Sequence, residues 1–161
     1  MKKSVCLRLG LCALVLHGAL LRCQQLTIQT ETGKETVLER SDIESLAHVK
    51  VATHSSEMSA TFEGVELRAV LEKAGIEFGH SMRGKRLASC LLVEAADGYR
   101  AVIALPEIDR EFTDKKIVLA YMQDGKPLDA KAGPYRVVIP DEKRMARWVR
   151  QVTTLKIVNV Q

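Results

Sequence analysis

The 161-residue chain has almost no cysteine where a folded domain would use it: Cys6, Cys12 and Cys23 lie in the first 23 residues, and Cys90 is the one that remains. An internal disulfide framework is thereby excluded, although a domain of this length buries enough surface to fold without covalent staples. Proline is absent from the first half, and all four, Pro106, Pro127, Pro134 and Pro140, fall at positions that read as turns. No internal repeat, low-complexity tract or Pro/Gly/Ser-rich linker follows the first segment, so nothing marks the start of a second domain. The apolar run from Leu9 to Leu21 is shorter than the roughly 20 residues a membrane-spanning helix needs, and Arg8 and His17 interrupt its ends.

What is present at the start is a positive Met1-Lys2-Lys3 followed by that short apolar run, the pattern of a secretory signal. Residues 1–23 are therefore expected to be a signal peptide and 24–161 a single domain, placed in the periplasm or secreted. A lipid-modified Cys23 is the second reading, disfavoured because the bulky Arg22 precedes it. The leader holds Lys2, Lys3, Arg8 and Arg22 and no acid, so its removal leaves twenty basic against twenty acidic residues. The formal charge of +4 thus gives no reason to expect a nucleic-acid partner. No stable membrane span is expected in the mature chain.

Leu26 to Thr30 alternates, Thr32-Gly33-Lys34 turns, and Thr36 to Glu39 continues as a second strand, an opening hairpin. Ser41 and Glu44 have capping-box spacing for a short helix through Leu46. His48 to Ala52 reads as a strand. Thr61 to Val65 leads into Leu67, Val70, Leu71 and Ala74, the spacing of an amphipathic helix that Gly75 ends. Asp97-Gly98 separates the apolar run Leu87 to Ala96 from Tyr99 to Ile103, a hairpin signal. Further strands are expected at Ile117 to Tyr121, Tyr135 to Ile139 and Leu155 to Val158, with a turn at Asp124 to Pro127 and a short basic segment around Trp148. The fold class is α+β, mostly β, with a mixed sheet, hairpins and a few short helices, because the regular strand-helix alternation of a parallel doubly wound sheet is missing.

Several of these segments, in this order, resemble the oxidoreductase molybdopterin-binding domain, the fold of sulfite oxidase. Phe62 to Leu71 is similar to that family's F-x-G-V-x-L-x-x-L-L, and Ala96 to Tyr99 to its A-D-G-Y. Leu119 to Leu128 is similar to its L-A-Y-x-x-N-G-x-P-L, Gly133 to Pro140 to its G-P-x-R-L-V-V-P, and Arg147 to Arg150 to its K-W-x-x-x-I. The resemblance covers roughly residues 60–158.

The resemblance implies a molybdopterin cofactor whose metal is held by one protein thiolate, a soft anionic ligand suited to it. The family's cysteine precedes the F-x-G-V segment, yet Val51 to Ala60 contains none. Cys90 lies on the far side of that segment and is expected to pack in the core. His54 and Glu57 offer a nitrogen and an oxygen to a metal, but two such residues on a polar loop read as solvated. By position the resemblance assigns cofactor contacts to Arg136, Arg144 and Arg147, whose planar donors suit a phosphate or a pterin edge. Glu142 stands where the family has glycine and Met145 where it has serine. A solvated cationic face is the competing reading of Arg144, Arg147 and Arg150, while Trp148 is expected in the core. Three functions stay open: a molybdopterin-dependent oxidoreductase with unusual ligands; a scaffold with weakened or lost redox catalysis that binds a pterin or small anion; and an exported module docking on a redox or envelope protein.

Overall fold

The computed structural model describes residues 24–54, 58–140 and 142–160, with only the backbone described at His54. The expected signal segment 1–23, its cysteines, and the His54–Glu57 side-chain pair lie outside the described residues.

Strand β1 (Leu26–Gln29) buries Leu26 and Ile28 and turns back at Gly33, whose φ of 82° suits glycine, into β2 (Glu35–Leu38). Helix α1 (Arg40–Glu44) starts two residues earlier than Ser41 capping would allow. The Asp42 carboxylate accepts the Glu39 N–H at 3.0 Å, so the box runs from Glu39 to Asp42. Ile43 is the residue this helix buries, and Arg40 and Glu44 pair at 2.7 Å across one turn of its outer face.

Strand β3 (His48–His54) pairs antiparallel with β4 (Ser59–Glu66). The sequence reading treats Thr61 to Val65 as a lead-in to the helix; it is the middle of an eight-residue strand. The strand alternates, Ala60 and Phe62 in and Thr61 and Glu63 half-exposed, until a bulge between Glu63 and Gly64 resets the period and buries Gly64 and Val65 together. At the bulge, β4 meets β7 (Val118–Gln123) so closely that a Cβ on Gly64 would lie 2.1 Å from the Leu119 carbonyl oxygen.

Helix α2 (Leu67–Lys73) follows as the 3.6-residue period requires, with Leu67, Val70 and Leu71 fully buried. It ends in a Schellman motif: Ile76 N–H donates to Leu71 O at 3.0 Å and Gly75 N–H to Glu72 O at 2.9 Å, with Gly75 at φ 90°.

Beyond it, β5 (Ser89–Ala95) and β6 (Arg100–Ala104) form the expected Asp97-Gly98 hairpin. The two-residue period of β5 sends Leu91 and Val93 inward and leaves Cys90 half-exposed on the other face. That corrects the expectation of a core cysteine. β7 turns through Asp124 (φ 50°) and Gly125 (φ 74°), the positive pair of a type I′ turn, into the short β8 (Lys126–Pro127). The Asp124 carboxylate accepts the Thr61 N–H at 2.9 Å and so ties this turn to β4. β9 (Arg136–Val138) pairs with the other end of β7, and β10 (Val152–Asn159) closes the chain.

Two five-stranded sheets result. One has the order β2-β1-β10-β5-β6, with β1 and β10 parallel; the other is β3-β4-β7-β8, with β9 also on β7. Side chains from both sheets and α2 form one continuous core. Tyr135 is buried in it, its hydroxyl pushed up to about 12 by burial and donating to Gln24 O at 3.0 Å. This mostly-β, α+β architecture is the class expected.

Because Leu119 O and Ala120 Cα are backbone atoms that cannot rotate away, Gly64→Ala must push β4 off β7. We expect a loss of about 3 kcal/mol in urea unfolding, at the upper end for overpacking.

Candidate anion site

The order β4-β7-β9 brings Phe62 and Arg136 together. Arg136 is 6% exposed, and its guanidinium carbon lies 5.3 Å from the Phe62 ring centre and 5.6 Å from that of Trp148. Trp148 is 3% exposed, in the core as expected, and stands edge-on to Phe62. Two electron-rich rings offset part of the cost of burying the cation. No carboxylate forms an ion pair with Arg136 among the described residues: its Nε has no partner, and Nη2 reaches only the Met145 thioether, at 3.9 Å. Burial lowers its pKa from the ordinary arginine value, and Arg150 lowers it further, against a smaller opposing effect of Asp129. A buried guanidinium so placed is expensive unless something anionic compensates it.

Arg136 lines an open depression of about 540 Å³, with Arg150, Lys126 and Lys131 also on its walls. Two acids share it, but both are committed to the backbone: Asp124 to Thr61 N–H, and Asp129 to the N–H groups of Lys131 and Ala132, each at 2.9 Å. Among the described residues four cations thus face two occupied carboxylates. Met58, on the connection from β3 to β4, forms part of the same rim. The segment from which the cysteine is missing therefore borders the depression that holds Arg136.

The other arginines singled out in the sequence do not converge there. Arg144 is exposed and does not line the depression. Arg147 donates from Nε to Glu142 at 2.7 Å and from both terminal nitrogens to Glu107 at 3.2 Å. Glu142, which stands where the family has glycine, holds Arg147 in an internal pair. Arg150, read in the sequence as part of a cationic face, is the one that shares walls with Arg136, and Lys126 and Lys131 carried no sequence signal beyond their turns. Asp109 was also missed: fully buried, it accepts from Gly79 N–H at 2.7 Å and Glu111 N–H at 3.0 Å, and it holds Arg68 at 3.4 Å.

A mostly-β two-sheet fold with a basic depression at the β7–β9 edge is the class of protein these features define. The oxidoreductase molybdopterin binding domain family matches residues 22–161, and the chain belongs to it. Among solved structures, the sulfane dehydrogenase SoxCD from Paracoccus pantotrophus superposes with a TM-score of 0.64 at 18% identity, over 86% of this chain and 39% of that one. That likeness is one of fold, and this chain spans about two fifths of the length of its neighbour. Comparison with curated proteins gives no match.

The family's cofactor joins a metal to an anionic pterin, and the residues here fit only one part. The uncompensated Arg136 suits an anion. Among the described residues no thiolate borders the depression: Cys90, the one cysteine among them, lies on β5 between β10 and β6 in the other sheet. No group of three or more His, Cys, Asp or Glu side chains among the described residues could hold a metal ion.

The Glu107–Arg147 pair gives a pH signature. Burial pushes the Glu107 carboxyl up, but the Arg147 hydrogen bond and charge, helped by Ala104 N–H and Lys115, hold it below the ordinary 4.5. A carboxyl lowered in the folded state contributes stability that is present above its unfolded pKa and lost as pH falls through the folded one. The Tm difference between the native chain and Arg147→Met should be widest near neutral pH and should shrink below about 4.5 in a thermal melt series.

Proposed function

We propose that this chain is an exported member of its family that keeps the scaffold and an anion site at Arg136, while redox catalysis at a cysteine-held molybdenum is lost or severely weakened. The observation that carries the reading is the buried Arg136 guanidinium, open to a basic depression and without a carboxylate among the described residues. Its ligand is a small oxyanion or the phosphate-bearing pterin itself, since a guanidinium edge offers two parallel donors to either. The missing cysteine between Val51 and Phe62 supports the loss of redox chemistry. The leader-like segment 1–23 supports export to the periplasm or beyond, and no helix among the described residues is long and apolar enough to cross a membrane.

Protein expressed with cofactor supply should contain far less than stoichiometric molybdenum by elemental analysis; one metal per chain overturns the loss of redox chemistry. Pterin fluorescence after oxidation separates a retained pterin from a simple oxyanion. A stable protein complex from envelope extracts, with neither ligand, would favour the docking module instead.

Arg136→Met tests the site. An arginine kept for structure would destabilise the fold when removed, whereas one kept for a ligand costs stability in its absence. We expect Arg136→Met to gain about 2 kcal/mol without added anion and to lose the rise in Tm that inorganic phosphate or sulfate gives the native chain. A destabilised variant that still responds to these anions would refute the site.

A further inference from the structure

The sulfur against Arg136 has a chemistry of its own. Met145 opens a short 3₁₀ turn (Met145–Arg147), is half-buried, and lines a second depression of about 250 Å³ beside Tyr99 and Trp148. Among the described residues its Sδ is the one acceptor that Arg136 Nη2 finds, at 3.9 Å, and a thioether is a weak acceptor. A strong donor, nine-tenths buried, thus faces a poor acceptor that solvent can reach. The weakness can be removed by adding a single oxygen atom.

We propose that Met145 is an oxidative modification site whose sulfoxide closes the anion site. A peroxide supplies the oxygen: the sulfur lone pair attacks one peroxide oxygen, the O–O bond breaks, the S–O bond forms, and with hydrogen peroxide the other oxygen leaves as water. The thioether gives up two electrons and the peroxide takes them. The sulfoxide oxygen carries partial negative charge and becomes the acceptor the guanidinium lacks, so the product is held by the cation that otherwise awaits a ligand. Methionine oxidation ordinarily weakens a core by placing a polar group against apolar neighbours. Next to Arg136 that penalty is offset, and an incoming anion has to compete with the new oxygen. This inference rests on Arg136 being the anion site.

Melting curves of the native chain, Arg136→Leu and Met145→Leu, each before and after limited hydrogen peroxide and with conversion at each methionine read by peptide mass, test it. Met145→Leu reports what oxidation of the other methionines does, and this is subtracted. In the native chain, oxidation of Met145 should leave Tm unchanged or higher, while in Arg136→Leu it should lower Tm by several degrees. The phosphate concentration needed for half of the Tm rise should increase at least tenfold on oxidation of the native chain and stay constant for Met145→Leu. Equal Tm changes with and without Arg136, an unchanged phosphate response at full conversion, or a Met145 that stays reduced while Met58 and Met122 oxidise would each overturn the proposal. An unoxidised native chain without any phosphate response would sink the anion-site reading alone, and the Tm comparison with Arg136→Leu would still decide the fate of the sulfoxide contact.

Discussion

The close passage of β4 over β7 at Gly64 is the constraint on which the rest depends. The bulge there turns Val65 inward after Phe62 has already pointed inward, so one strand supplies both the core beneath α2 and the aromatic face under Arg136. The same pairing carries the Asp124-Gly125 turn to Thr61, which fixes one wall of the basic depression. Core and site are thereby set by one register, and neither can shift without the other.

Much of this was legible in the residues. Helix α2 announced itself through Leu67, Val70, Leu71 and the terminating Gly75, because a buried helical stripe and a left-handed cap are local features. The hairpins at Asp97-Gly98 and Asp124-Gly125 were readable for the same reason. Strand β4 was not recognised as a strand, because its bulge breaks the alternation that would identify it and a helix signal follows at once. Cys90 was misplaced because a run of apolar residues does not say which alternate face is covered. The parallel pairing of β1 with β10 leaves no local mark at all, since it joins residues at opposite ends of the chain.

The site was legible in part. Arg136 stood out by resemblance, but which arginines accompany it is decided by competition among charges that sequence position does not order. Glu142 and Glu107 take up Arg147, and Arg144 is left at the surface. Among the described residues Arg136 is spared a carboxylate because the acids lining the depression, Asp124 and Asp129, are spent on turns. Which carboxylate satisfies a backbone N–H therefore settles which cation stays free for a ligand, a division of labour that composition alone, with its equal numbers of acids and bases after residue 23, conceals.

The parallel seam of β1 and β10 also has a kinetic side. Thr27 lies opposite Thr154, and Ile28 opposite Leu155, so the first sheet cannot be completed until β10 joins strands more than a hundred residues before it. Loop closure over such a span is slow, and contacts so distant in sequence come late. The β1–β2 hairpin has its inner edge unpaired until β10 has formed. The first sheet is thus completed by a strand remote from its opening hairpin rather than piecemeal from its first residues onward.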